Sequence, residues 1–283
     1  MEGAIIGFGN MGKTHFKCYK DLGVEIAAIV DPFQDKCLKQ IEDIPKDVDF
    51  IDICSPSYLH FEHLQKAMIF HKPIFVEKPI VIKKEEVNVL RQINYKNLIF
   101  VGEVEQFNQT LQPFLKYNKP LRNLKISRNV NLEFFLKNSY AWFLKPELSG
   151  GIVMDLMIHD LTLLTLKYGK PIVENVRFSK KRYSTPDNVS AILDFGTFKA
   201  EVESSWTSAN KRDPIELEVK FNDVELKCNN YFEFKAKQNP FYLELKTFVD
   251  NIQNKQQIAL APYLDAIEVA LEINQKGVAV AEA

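Results

Sequence analysis

Residues 4–19 read AIIGFGNMGKTHFKCY: a short apolar strand, three glycines and then a helical pattern. Gly7, Gly9 and Gly12 stand in the spacing Gly-x-Gly-x-x-Gly at a strand-to-helix turn. At such a turn the first glycine permits the tight reversal, the second lets main chain approach a pyrophosphate, and the third lets helix and strand pack closely. The N-terminus of the helix offers free N–H groups and partial positive charge to phosphates. Asp31 ends the next apolar strand about 20 residues on, where an acid accepts hydrogen bonds from the adenosine ribose. A carboxylate there repels a 2′-phosphate, and no Lys or Arg follows before Lys36. NAD is therefore the expected cofactor, with NADP less favoured. The bland alternative is a set of ordinary turn glycines and a strand-ending Asp-Pro turn.

The rest of the first hundred residues repeats this strand–helix grammar. Strands are expected in GAIIGFG, VEIAAIVDP, VDFIDICSPS, PIFVEKP and NLIFVGEVEQF. Helices are expected in MGKTHFKCYKDLG, FQDKCLKQIED, YLHFEHLQKAMIF and KKEEVNVLRQI. Repeated β-α-β with apolar strands predicts a parallel sheet covered on both faces. After Val104 the pattern changes. LRNLKISRNVNLEFF reads as a strand and GGIVMDLMIHDLTLLTLKY as a helix. The runs ENVRFSKKRYS, NVSAILDFGTFKAEVESSW and IELEVKFNDVELKCNNYFEFK read as strands, and helices close the chain at FYLELKTFVDNIQN and YLDAIEVALEINQK. The expected organisation is an α/β dinucleotide-binding domain over 1–104, followed by an α+β domain over 105–283 with a predominantly antiparallel, open sheet.

A length of 283 residues suits two such domains. A net charge of −1 argues against nucleic acid or an anionic membrane as partner. The four cysteines, Cys18, Cys37, Cys54 and Cys228, form no CxxC, so neither a zinc site nor a redox pair is indicated. Reduced thiols in a cytoplasmic protein are expected. With only Met1 and Glu2 before the first strand, no leader is expected. The longest apolar run, 152–166, is interrupted by Asp155, His159 and Asp160, and no membrane span is read from it.

Ligands of open α/β sheets bind beyond the carboxyl ends of the strands. This chain places Gly7 and Gly9, Asp31, Ser55-Pro56, Glu77-Lys78-Pro79 and the stretch from Glu103 to Asn108 at those ends. Lysine after a strand is commonly a solvated turn residue. At a ligand cleft, desolvation can instead lower its pKa and make Lys78 a proton donor or acceptor. The bond before Pro79 is a candidate for the cis form. His60 and His63, with Glu62 between them, lack a third ligand at suitable spacing, so no metal is expected. His15 shares a helix face with Met11, Cys18 and Leu22, as a hydrogen-bonded core histidine would.

The segments GFGNMGKTH, CSPSYLHFEH, VEKP, SGGIVMDLMIHDLTLL and NPFYLELKTFVDNI together resemble the glucose–fructose oxidoreductase / inositol dehydrogenase family, Gfo/Idh/MocA. The resemblance implies a Rossmann domain followed by a substrate-binding and oligomerisation α/β domain. It implies nicotinamide-dependent oxidation of a sugar, cyclitol or sugar-nucleotide alcohol. Carried over by motif, Lys78, Asp155 and His159 take the catalytic positions. Cofactor contacts fall to the loop Gly7, Phe8, Gly9, Asn10, Met11 and Gly12, to Asp31, and to Ser55, Pro56, His60, Glu77 and Lys78. An open second sheet suggests a homodimer or homotetramer.

This chain departs from the family at Gln106–Phe107–Asn108–Gln109, where Arg-Phe-x-Pro is common, and at Thr162, where an acid often follows the histidine. It is also shorter than typical members. Independently of the resemblance, Asp155 and His159 are four apart and share a helix face with Thr162. In so apolar a helix they need partners, and a self-satisfied Asp–His pair in the core is the alternative. Either Lys78 or His159 can be the base. Rival activities are a glycosidase that oxidises its sugar transiently, a non-catalytic cofactor- or sugar-binding regulator, and a reductase of a biliverdin-type compound.

Overall fold

Short runs rich in Ile, Val and Phe form five strands: β1 (Glu2–Ile6), β2 (Glu25–Val30), β3 (Phe50–Ile53), β4 (Ile74–Val76) and β5 (Ile99–Val101). Every neighbouring pair is parallel, in the order β2-β1-β3-β4-β5. β3, β4 and β5 are buried at every residue, as strands covered on both faces must be. Helices α1 (Asn10–Asp21), α2 (His60–Met68) and α3 (Lys84–Arg91) lie in the connections. Strand order reverses between β1 and β3, which makes the ends of those two strands the ligand crevice of such a sheet.

The computed structural model describes residues 1–136, 141–228 and 236–281. It divides into a first unit of 1–81, 88–107 and 235–260 and a second of 82–87, 108–234 and 261–283. Three stretches, 82–87, 105–107 and 235–260, fall across the 104/105 division, and packing explains the longest. Helix α8 (Pro240–Gln253) belongs to the first unit. The Phe248 ring centroid lies 5.4, 5.5 and 5.7 Å from those of Phe50, Phe75 and Phe100. Truncating such a buried ring costs about 3–5 kcal/mol, so residues distant in sequence complete the first core.

Two expected elements differ. FQDKCLKQIED is not a helix beyond the single 3-10 turn Ile41–Asp43. Leu38 instead forms a parallel bridge with Val30. Its N–H donates to Ile29 O at 2.8 Å and its carbonyl accepts from Asp31 N at 2.9 Å. A main chain engaged sideways in this way is not available for i−4 bonding. The fifth strand stops at Val101 and a 3-10 turn follows at Val104–Phe107.

The second unit holds β6 (Leu124–Val130), β7 (Ile172–Ser179), β8 (Asn188–Asp194), β9 (Lys199–Ser205), β10 (Ile215–Phe221) and β11 (Val224–Cys228). Their order is β11-β10-β6-β9-β8-β7, antiparallel except for β6 beside β9. Burial alternates along β6, β8 and β9, as in a sheet with one covered face. Residues 229–235, read as the end of a strand run, lie outside the described residues. Single turns α4 (Gln112–Leu115), α5 (Leu132–Leu136) and α6 (Pro146–Ser149) precede the long α7 (Ile158–Tyr168) and α9 (Ala261–Ala281), which pack together.

By length and composition alone the 23 residues Pro146–Tyr168 are long and apolar enough to cross a membrane. In this fold 78% of its most apolar window is buried within the protein, so its hydropathy is that of a core helix. Nor is it one continuous α-helix. Gly150 and Gly151 both take left-handed φ angles (73° and 70°), which end α6. Val153–Met157 is then a π-helical turn before α7 begins.

Candidate active site

Two of the three glycines of the turn stand where a side chain would not fit. Gly7 has φ 92°, and a Cβ there would lie 2.7 Å from the main-chain nitrogen of Ser55. A Cβ on Gly12 would lie 2.1 Å from the carbonyl oxygen of Gly7. The turn at the end of β1 therefore rests directly on the chain after β3 and on α1. No side chain caps α1, and its first turn carries no acid, which leaves its positive end suited to a phosphate. Asp31 closes the cradle. Its Oδ2 accepts from Phe8 N and its Oδ1 from Phe33 N, both at 2.9 Å. Each carboxylate oxygen keeps a lone pair for a ribose hydroxyl. These residues fit a dinucleotide.

The turns after β3 and β4 are braced against each other. His60 is 1% exposed. Its Nδ1 lies 2.7 Å from the carbonyl oxygen of Pro79 and its Nε2 2.7 Å from that of Ser55. Both ring nitrogens of His60 face main-chain carbonyls, the single N–H of the neutral ring serves one of them, and burial pushes its pKa down. His63 Nδ1 lies 2.9 Å from Ser55 Oγ, and burial lowers its pKa to about 4. Lys78 is half-buried at the end of β4, and the Lys78–Pro79 peptide is cis. Glu77, expected to face the cofactor, has Oε1 3.1 Å from His15 Nε2, while Oε2 accepts from Lys78 N at 3.2 Å.

His15 is the hub of a buried polar cluster. Its Nδ1 lies 2.9 Å from Asp52 Oδ2 and 3.2 Å from Cys54 Sγ, and that thiol donates to Asp52 Oδ1 at 3.3 Å. Burial disfavours the charged imidazole, but Cys54 and Asp52 outweigh it and hold the pKa well above its ordinary value. Burial, then the Asp52 charge, pushes the Cys54 thiol well up. Burial opposes ionisation of Glu77, yet the hydrogen bond and charge of His15 bring its pKa down. Glu244 of α8, 0% exposed, is driven well above the carboxylate range by burial and then by the Glu77 charge. The donor atoms of His15, Asp52 and Cys54 lie close enough to suggest a metal set, but at 2.9–3.3 Å they are hydrogen-bonded to one another.

In the second unit Asp155 sits in the π turn and His159 in the first turn of α7, both half-buried. The regular helical spacing assumed for this pair is thus interrupted at Asp155. Thr162 is buried in α7. The neighbouring Asp160 is fully buried and held by Arg128 of β6, with Nε 3.0 Å from Oδ2 and Nη2 2.7 Å from Oδ1. Sequence reasoning missed this pair and the cluster partners Asp52 and Glu244. Signals were present: Asp52 interrupts the apolar strand FIDI, and Glu244 lies between Phe241 and Phe248 on one helix face.

A braced crevice with a glycine cradle defines a dinucleotide-binding unit of the Rossmann type. The family description "Oxidoreductase family, NAD-binding Rossmann fold" matches residues 1–97, and "GFO/IDH/MocA C-terminal domain" matches 126–224. The chain belongs to the Gfo/Idh/MocA family, and its cofactor is NAD. It is 25% identical over 302 residues to an inositol 2-dehydrogenase of Rhizobium meliloti, covering 90% of this chain and 89% of that one. It is 24% identical over 223 residues to UDP-N-acetylglucosamine 3-dehydrogenase of Acidithiobacillus ferrooxidans, covering 74% of this chain. The chain spans less than two thirds of two curated relatives, 64% of that enzyme and 47% of an uncharacterized protein of Saccharomyces cerevisiae.

Among solved structures, a myo-inositol dehydrogenase from Corynebacterium glutamicum matches with TM-score 0.82 and 17% identity, over 99% of this chain and 97% of that one. The WlbA (WbpB) dehydrogenase from Thermus thermophilus, in complex with NAD and UDP-GlcNAcA, matches with TM-score 0.78 and 16% identity, over 97% and 94%. Likeness at this identity establishes the fold.

Proposed function

We propose that this chain is an NAD-dependent dehydrogenase that oxidises a secondary alcohol of a sugar, cyclitol or sugar nucleotide. The observation that carries the reading is the cradle of Gly7, Gly12 and Asp31, with half-buried Lys78 in the same unit at the end of β4. NAD, when bound, accepts the hydride. Lys78 or His159 takes the hydroxyl proton, and Asp155 orients the alcohol or tunes His159. A π turn at Asp155 supports a functional role, since such turns recur at functional sites. Inositol and UDP-N-acetylglucosamine dehydrogenases among the relatives support the substrate class. We also infer a cytoplasmic location, supported by four free cysteines, and a homo-oligomer, supported by the one-sided burial of the second sheet and tested by light scattering.

The test is a fluorescence screen for NADH with purified protein and a panel of cyclitols, sugars and sugar nucleotides. NADH formation with one class supports the reading. Glycoside cleavage with no net NADH would replace it with the glycosidase. In the same assay Lys78→Ala is expected to cut kcat by about 10²-fold, the scale of a positioned proton-transfer group. Undiminished turnover would remove Lys78 from the chemistry. Calorimetry is expected to show NAD binding more tightly than NADP, with Asp31→Ser narrowing the gap. Tighter NADP binding by the wild-type protein would overturn that preference.

A further inference from the structure

Two buried histidines hold the turn that carries Lys78, one on each side of it. On the N-terminal side His15 Nε2 lies 3.1 Å from the Glu77 carboxylate, while Nδ1 of the same ring lies 2.9 Å from Asp52. On the C-terminal side His60 Nδ1 lies 2.7 Å from the Pro79 carbonyl, while Nε2 lies 2.7 Å from the Ser55 carbonyl. One anchor grips a side chain and the other grips main chain. Each ring bridges the turn after β4 to β3 or to the residues that follow it, at 0% and 1% exposure. His15 also stands on α1, three residues after the last glycine of the cradle.

We infer that His15 and His60 are positioning residues that clamp the Glu77-Lys78-Pro79 turn and so fix where Lys78 stands relative to the glycine cradle. This rests on the reading of Lys78 as a proton-transfer group. A lysine stem is long and has many rotamers, so its usefulness depends on where its Cα is held. A displacement of about 1 Å at a reacting group can cost about 10²-fold in rate. At 3.1 Å the contact between His15 Nε2 and the Glu77 carboxylate is an ion pair rather than a directed hydrogen bond, and in a buried site such an attraction is little screened. Glu77 therefore acts through Lys78 and its turn.

The clamp is tested on the intact protein with Glu77→Ala, Glu77→Gln and His60→Ala. Amide hydrogen exchange is followed over 74–82, NAD binding by calorimetry, and kcat and KM with an alcohol from the screen. In both alanine variants, exchange over 74–82 is expected to rise at least about tenfold, with β1 and α1 unchanged. kcat is expected to fall about tenfold or more, while KM and the NAD Kd stay within about threefold. Glu77→Gln keeps the size of the side chain but removes the charge paired with His15, and is expected to recover only part of kcat. Should His60→Ala fail to fold, His60→Gln, which keeps one N–H donor, is read by the same measurements.

Wild-type exchange over 74–82 in the folded variants would overturn the clamp. So would exchange rising equally throughout the unit. A loss confined to NAD affinity would also overturn it, by making these residues direct cofactor contacts. Full turnover in Lys78→Ala would break the reading of Lys78 instead, and the exchange measurement would still decide the clamp.

Discussion

The two units bury charge in opposite ways. In the second, every anion of two buried sites meets matched donors. Asp160 is gripped by both ends of the Arg128 guanidinium. Asp187, 0% exposed, accepts from the main-chain N–H groups of Lys181, Arg182 and Tyr183 and from the Asn188 amide at 2.6 Å. Donors of this kind do not titrate near neutral pH. In the first unit a single imidazole, His15, serves Asp52 and Glu77 together, and Glu244 is left to hold its proton. Compensation by guanidinium and backbone locks a charge state, whereas compensation by one histidine leaves it responsive to pH. The responsive cluster is the one that touches the Lys78 turn.

The largest effect expected from this contrast is in the locked pair. Arg128→Met leaves Asp160 charged, buried and without its guanidinium, which costs about 3–5 kcal/mol in comparable pairs. The double variant Arg128→Met, Asp160→Leu is expected to recover most of that loss, because apolar replacement of both partners is commonly neutral or stabilising. Urea unfolding of the four proteins of this cycle measures it. A single variant that loses less than about 1 kcal/mol would place the pair with exposed ion pairs in energy and erase the contrast.

What could be read from the sequence follows the range of the interactions involved. Gly7, Gly12 and Asp31 answer to local demands: a left-handed φ, a helix against a carbonyl, an acid at a strand end. Their spacing therefore carries the fold. Lys78 was legible by its place after an apolar strand. The His15 cluster joins residues 37 positions apart and a helix from the far end of the chain. No spacing rule connects them, so His15 read only as a core histidine and Glu77 as a cofactor contact. The π turn at Val153–Met157 has no compositional mark within an apolar run. FQDKCLKQIED misled because its pattern suits a helix, while tertiary pairing of Leu38 decides the backbone.

A middle-sized effect sharpens the comparison through Asp187. Burial opposes its charge, but the three backbone donors and Asn188 hold its pKa below the usual value. For a depressed acid, stability is present above the unfolded pKa, near 3.9, and is lost as pH falls through the native value. Asp187→Asn is expected to cost about 1–3 kcal/mol at neutral pH, the scale of a disrupted buried hydrogen-bond set. The variant should also lose less stability than wild type below about pH 4, since that proton uptake is gone. Equal acid sensitivity in the two proteins would show Asp187 to be no part of the locked set.

The smallest effect, and the one that reads the responsive cluster directly, belongs to Glu244. Its pKa is raised, so the sign is reversed. Above the unfolded value, near 4.3, the native state keeps a proton that the unfolded chain releases, and stability falls as pH rises until the native pKa is passed. One such proton gives a slope of at most about 1.4 kcal/mol per pH unit. Between about pH 5 and 6 the difference between wild type and Glu244→Gln isolates it, because His60 and His63, whose lowered pKa values make stability rise with pH there, are common to both proteins. His15, with its raised pKa, contributes a constant stability below about 6.5, and Glu77, with its lowered pKa, contributes a constant stability above about 4.3. Glu244→Gln keeps the shape of the neutral acid and removes the titration. The expected result is a variant whose stability gains steadily on that of wild type as pH rises across that window. Parallel profiles would mean that Glu244 is ionised in the native state, and that the first unit compensates its anions as fully as the second.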